Sequence, residues 1–289
     1  MIVVVAGIYR KETKGQAMGE RGTEMSATYT HGHSPAVTSA MAGRSAEREG
    51  AFFLRHLRPG MRVLDVGCGP GGITMGFARA VVPGEVVGID QERSAVEAAT
   101  ALAAEQGLTS ARFEVGDAAA LPFPNGCFDA VFEHTVLEHV AEPMAVVQEM
   151  RRVLRPGGLI GLRDGDTGAR LQYPSDPDLV AFRDLYERLW RLNGGNPEQG
   201  RLQRSLLHAA GFSRLETSAG TNTFQAAAGQ MWVDLLLTPR VAGRAIELGW
   251  ADRAAIERYA EALRRWGEHP DGIWSTMMVE TVGWVDERR

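Results

Sequence analysis

The chain has 289 residues, a net charge of −5, 44% hydrophobic and 23% charged residues, an ordinary globular composition with enough apolar mass for a sizeable core. That weak acidic balance argues against a nucleic-acid surface, which needs clustered Lys and Arg, and no stretch nears the ~20 consecutive apolar residues that span a bilayer. Cys68 and Cys127 are the only cysteines and stand in no CxxC pair, so a zinc framework is not expected and a reducing, cytoplasmic setting is.

Residues 1–24 are polar and Gly-rich after Ile8 and read as a disordered leader, with Met25 a sensible alternative start. Ser34-Pro35 opens a helical apolar spacing that runs to Leu57, and Arg58-Pro59-Gly60 stops it. Strand and helix then alternate. Strands are predicted over 62–66, 85–89, 111–115, 128–133 and 159–163, with helices over 73–81, 93–106 and 143–154 between them. Glycine-rich turns mark the joints, notably 67–72 and Arg155-Pro156-Gly157-Gly158. Parallel strands joined by helices imply right-handed crossovers and a doubly wound sheet. The rhythm breaks at 165–200, where a turn-rich piece precedes a helix over 179–192. A helix over 201–210, a strand near 213–218, two or three helices within 225–268 and a final strand over 273–285 complete the chain. The fold class expected is α/β, Rossmann-like and doubly wound. It has a mostly parallel seven-stranded sheet in one domain over 25–289, with helical cap segments around 25–57, 165–200 and 225–268.

The chemistry concentrates in Val63-Leu64-Asp65-Val66-Gly67-Cys68-Gly69-Pro70-Gly71-Gly72. An apolar strand feeds a loop whose glycines let the backbone turn sharply and let a ligand approach without meeting a Cβ. The following helix N-terminus can face a polar or anionic group. Asp90 closes the next strand 25 positions after Asp65, where a carboxylate can accept both hydroxyls of an adenosine ribose. Asp90 can equally be a helix N-cap, and Asp117 a turn residue.

This run resembles motif I of the class I S-adenosylmethionine (SAM)-dependent methyltransferases, and Gly88-Ile89-Asp90 resembles their motif II. Gly116-Asp117-Ala118 is similar to the segment that contacts the adenine amine. Phe128-Asp129-Ala130-Val131-Phe132 is similar to motif IV, and Arg155-Pro156-Gly157-Gly158 to the loop before strand five. The resemblance spans residues 29–164 and is nearest to the ubiquinone/menaquinone-biosynthesis type of small-molecule methyltransferase. It implies SAM as cofactor and S-adenosylhomocysteine (SAH) as product. The cofactor contacts it implies are Asp65, Gly67, Cys68, Gly69, Pro70, Gly71, Asp90, Gln91, Asp117, Ala118 and Glu133. Tyr29, His33 and Arg44 are similar to an N-terminal segment that closes over the methionine end of SAM in a subset of the group. A surface-docked arm is the other reading of that segment.

Glu133, His134, Glu138 and His139 follow strand four at the carboxyl edge of the sheet, where ligands of open α/β sheets bind. No third site of matching spacing supports a metal. By the resemblance, His139 is the general base and Asp164 its carboxylate partner; His139 packing at a helix start is the alternative. The tryptophans and Tyr173 are read first as core. The expected activity is in-line methyl transfer to a small molecule, with O or C favoured over N. The expected partner is that acceptor, with no nucleic acid or membrane; a homodimer is possible. Three alternatives stay open. A nicotinamide-dependent oxidoreductase could use glycines 67, 69 and 72. A macromolecular methyltransferase lacks the Asn-Pro-Pro-Tyr type motif, since Glu133-His134-Thr135-Val136 stands in its place. A protein that binds SAM without turnover is the third.

Overall fold

The computed structural model describes Met41, residues 43–225 and residues 228–287. Tyr29, His33 and the expected leader over 1–24 lie outside the described residues. Five strands carry the parallel part of the sheet: β1 (Arg62–Val66), β2 (Glu85–Asp90), β3 (Ala111–Val115), β4 (Phe128–His134) and β5 (Leu154–Tyr173). β1 pairs in parallel with β2 and β4, β2 with β3, and β4 with β5. β1, β2 and β4 are near-continuous buried runs because helices cover both faces of the sheet. β6 (Arg214–Gln225) and β7 (Ile273–Trp284) complete a seven-stranded sheet in the order β3-β2-β1-β4-β5-β7-β6, with β7 antiparallel to both neighbours. The expected Rossmann-like, mostly parallel architecture is the one observed.

Helices α1 (Ala51–Leu54), α2 (Gly72–Val81), α3 (Arg93–Glu105) and α4 (Pro143–Val153) flank these strands. α4 starts with Pro143 and buries Val146, Val147, Met150 and Val153, one stripe of a 3.6-residue period. One core lies under α4 and includes Leu64, Val131 and Ile160. The other lies under α1 and α2, where the rings of Phe53, Phe77 and Phe132 meet at 4.9–5.5 Å. The helix expected over 34–57 is much shorter in its described part. Gly50 interrupts it where a Cβ would stand 2.8 Å from the Phe77 ring.

The larger departure is in the outer strands. β5 runs ten residues beyond the expected end at Arg163, and β6 runs on to Gln225. β7 holds both, pairing Tyr173 and Gln225 across Ile273. Residues 167–169 have no partner between the Asp166–Met277 and Arg170–Thr276 pairs, so their turn-like composition is absorbed as a bulge. This projecting ribbon carries α5 (Pro177–Leu192), α7 (Gly229–Leu236), α8 (Arg244–Glu247) and α9 (Arg253–Glu268); α6 (Gln203–Ala209) returns to the sheet. α5, α7 and α9 pack a separate apolar cluster around Phe182, Leu189, Leu236, Leu263, Trp266 and Trp274. Trp266 Nε1 donates to Tyr173 O at 3.1 Å, tying α9 to the ribbon. No helix among the described residues is long and apolar enough to cross a membrane.

Candidate active site

The strand order reverses at β1 and β4, and the glycine loop leaves β1 at that switch point, on the carboxyl edge of the sheet. Gly67 and Cys68 N–H donate to Ile89 O at 2.7 and 3.1 Å, folding the loop back on β2. Gly67, Gly69 and Gly71 all have positive φ, and a Cβ on Gly67 would sit 2.3 Å from Val136 Cγ2, so a side chain is barred there twice over. Asp90 anchors the bend: its Oδ2 accepts from Gly69 N and its Oδ1 from Glu92 N, both at 2.9 Å. Asp65 is buried, and Thr74 Oγ1 donates to it at 2.6 Å, joining α2 to β1. Burial pushes its carboxyl up to about 7, helped by Asp90 and opposed by the Thr74 hydroxyl. Burial also holds the Cys68 thiol well above its ordinary range, which suits a packing residue and not a nucleophile.

Three recesses meet at this edge. The first, about 340 Å³, is walled by Gly67, Asp90, Gln91, Asp117, Ala118 and the loop after β4 that includes His139. A second, about 20 Å³, lies against Arg44, Asp65 and Gly67 to Pro70, and shares Gly67 and His134 with the first. The third, about 180 Å³, is enclosed by the aromatic side of α5 and α7 and by β7, with Glu138 and Gly165 also in its wall. Met41 and Thr135 border both larger cavities. Thr135 has φ +57°, a left-handed conformation costly for a β-branched side chain. Its N–H donates to Arg163 O at 2.8 Å, and Arg44 Nη1 donates to its Oγ1 at 3.3 Å. Thr135 carries no sequence signal, because its strain shows only in the backbone; Met41 belongs to the helical apolar spacing that opens at Ser34.

Residues 57–204 match the profile of a methyltransferase domain. The chain is 32% identical over 257 residues to an uncharacterized methyltransferase of Schizosaccharomyces pombe, covering 85% of this chain and 92% of that one. It is 30% identical over 287 residues to the probable methyltransferase ltbC of Aspergillus luteorubrus, covering 89% and 96%. It belongs to the SAM-dependent methyltransferases. The fold is shared with the YcgJ protein of Bacillus subtilis, with a TM-score of 0.60 and 22% identity over 84% of this chain and 100% of that one. The nicotinamide-dependent reading is thereby set aside. Its glycines are present, but they belong to a methyltransferase loop.

Beneath the cavities, the methyltransferase buries three carboxyl groups together. Glu133 accepts from Val136 N at 2.9 Å and from Arg163 N at 3.1 Å. It holds the loop after β4 and lines none of the three recesses described here, unlike its expected place beside the cofactor. Asp164 is fully buried, accepting from Glu138 N at 3.2 Å and Gln203 Nε2 at 3.0 Å, and also lines none of them. The acid that faces His139 is Glu138, with Nε2 and Oε1 3.5 Å apart. The His139 ring stacks on Trp190 at 4.7 Å, and Trp190 Nε1 donates to Glu138 O at 2.9 Å. Gly165 N donates to Glu138 Oε2 at 2.5 Å, so this residue is fixed through both backbone and side chain.

Burial raises the proton affinity of all three acids, that of Glu138 to about 8; the Asp164 charge adds to the effect at Glu133 and Glu138, while hydrogen bonds from Gln203 and Glu133 oppose it at Asp164. Between the ordinary carboxyl range and pH 8 the folded protein therefore keeps protons that the unfolded chain has released, and stability falls as pH rises. His134, held neutral chiefly by burial, acts in the opposite sense, but only below its unfolded value near 6.5. The thermal midpoint should thus drop between pH 7 and 9, and Glu138→Gln should flatten that drop. An unchanged slope in the variant would remove Glu138 as its source.

Proposed function

We propose that this methyltransferase transfers the SAM methyl group to an oxygen or carbon of a small molecule bound in the cap-side cavity. The observation that carries this reading is the meeting of two cavities at Thr135 and Met41, one walled by the cofactor loop and one by aromatic side chains. The residues fit the cofactor. Asp90 opens on the larger cavity with its carboxylate steadied by two N–H groups, and each oxygen keeps a lone pair for a ribose hydroxyl. Gln91, Asp117 and Ala118 continue that wall toward the adenine. Asp65, Gly67, Cys68, Gly69 and Pro70, with Arg44, surround the smaller recess that suits the methionine end; Gly71, next in the loop, does not line it.

When bound, SAM supplies a methyl carbon already activated by its sulfonium. The chain's own task is then largely alignment, which is worth several kcal/mol when reacting atoms are held in line. The cap keeps water away from the junction. His139, in the wall of the cofactor-side cavity, takes the proton released by a hydroxyl or carbon acid, and the Glu138 carboxyl beside it holds the ring. Incubation with methyl-labelled SAM tests this reading against panels of phenols, carbon acids, amines, tRNA and peptides. Label should enter extractable phenols or carbon acids. Incorporation confined to amines or macromolecules would contradict it.

A further inference from the structure

The wall of the cap-side cavity holds three buried polar atoms that have no hydrogen-bond partner among the described residues: Thr167 Oγ1, Arg183 Nε and Trp232 Nε1. Leaving such a group unpaired is costly, so three on one cavity wall call for an explanation. The Trp232 ring cannot readily turn away. The Trp232 ring stacks on Trp274 at 5.2 Å and 15°, and meets Phe182, Tyr186 and Phe224 at steep angles. Arg183 is tethered through Nη2 to Asp184 at 3.2 Å. Thr167 N donates to Pro197 O at 2.9 Å, which fixes its backbone.

Their chemistry is one-sided. An indole N–H and a guanidinium N–H can only donate, and a threonine hydroxyl can do so. The other charges on this wall include Arg170 and Glu187, which pair with each other. An aromatic enclosure could by itself attract an ammonium group through the ring faces, but the Arg183 guanidinium and the donor-only Trp232 indole N–H in the same wall oppose a cation and favour oxygen.

We propose that this wall is an oxygen-reading subsite: the acceptor is a flat, mainly apolar molecule that presents carbonyl or carboxylate oxygens to Trp232, Arg183 and Thr167. The aromatic faces take the apolar body and the three donors set its orientation, so the reacting atom is directed toward Thr135 and the cofactor-side cavity. The inference rests on the reading that this cavity holds the acceptor.

The test uses the full-length protein saturated with SAH and three probes of one shape. These are 2-acetylnaphthalene, 2-ethylnaphthalene and 2-(aminomethyl)naphthalene, titrated by calorimetry. The acetyl probe should bind about tenfold more tightly than either of the others. Trp232→Phe, which keeps the ring and removes the N–H, should bring the acetyl probe down several-fold and leave the ethyl probe within twofold. Thr167→Val should act in the same direction, and decides the matter if Trp232→Phe does not fold. SAH affinity, measured alongside, checks the fold of each variant. Equal or tighter binding of the amine or ethyl probe, no binding of any probe to the SAH-loaded protein, or an equal loss for all three probes in the variants would overturn the subsite. Failure of the wild-type protein to bind SAH would instead count against the cofactor assignment beneath it.

Discussion

Asp90→Ala should weaken SAH binding by roughly tenfold or more. The carboxylate stands at the tip of β2, facing the larger cavity from beside the glycine loop, and its oxygens are already oriented by Gly69 N and Glu92 N. Hydrogen bonds to a charged group contribute about 1.5–3 kcal/mol, and every 1.4 kcal/mol is about a factor of ten. The substitution also frees Gly69 N, so part of the loss comes through the loop; Asp90→Asn, which keeps the shape, should fall between the two. Calorimetric titration with SAH reads all three proteins directly. Unchanged affinity in Asp90→Ala would remove the residue from the cofactor site.

The second large effect is expected at His139. A positioned general base contributes about a hundredfold or more to a proton-coupled step. His139→Ala should therefore lower turnover by about that factor with SAH affinity within threefold, once an acceptor is in hand. The ring lies between Trp190 and Glu138, so a role confined to packing would show as a lowered thermal midpoint with turnover retained. Retained turnover would mean that the proton leaves by another route.

Much of the fold and the cofactor loop could be read from the residues because the physics there is local. Buried parallel strands are continuous apolar runs, as in Val63-Leu64 and Val86-Val87, and the helices between them end at Gly or Pro. Glycines before α2 and an acid at the end of β2 announce a nucleotide-type bend within 25 residues. The ribbon of β5, β6 and β7 could not be read in the same way. Gly165, Asp166, Thr167 and Gly168 look like a turn, and only pairing with Met277 and Met278, more than a hundred residues later, makes strand of their surroundings. The same non-local effect governs the acids. Glu133 lies near the end of β4, but Asp164 falls inside the lengthened β5 and not at a strand end; neighbouring backbone N–H groups draw both side chains into the interior, and of the three buried acids Glu138 is the one that lines the cap-side cavity. Thr135, at the junction of the cavities, owes its position to a backbone conformation that its residue type disfavours.

On the proposed function, the recess between the glycine loop and the tip of β2 holds the adenosyl cofactor, with the cap-side cavity opening on its reactive end. A crystal structure of the protein grown with SAH tests it most directly. Density is expected along Gly67 to Gly71, with the ribose against Asp90, the adenine beside Asp117 and Ala118, and the sulfur near Thr135. SAH density elsewhere on the molecule, or a ribose out of reach of Asp90, would contradict it.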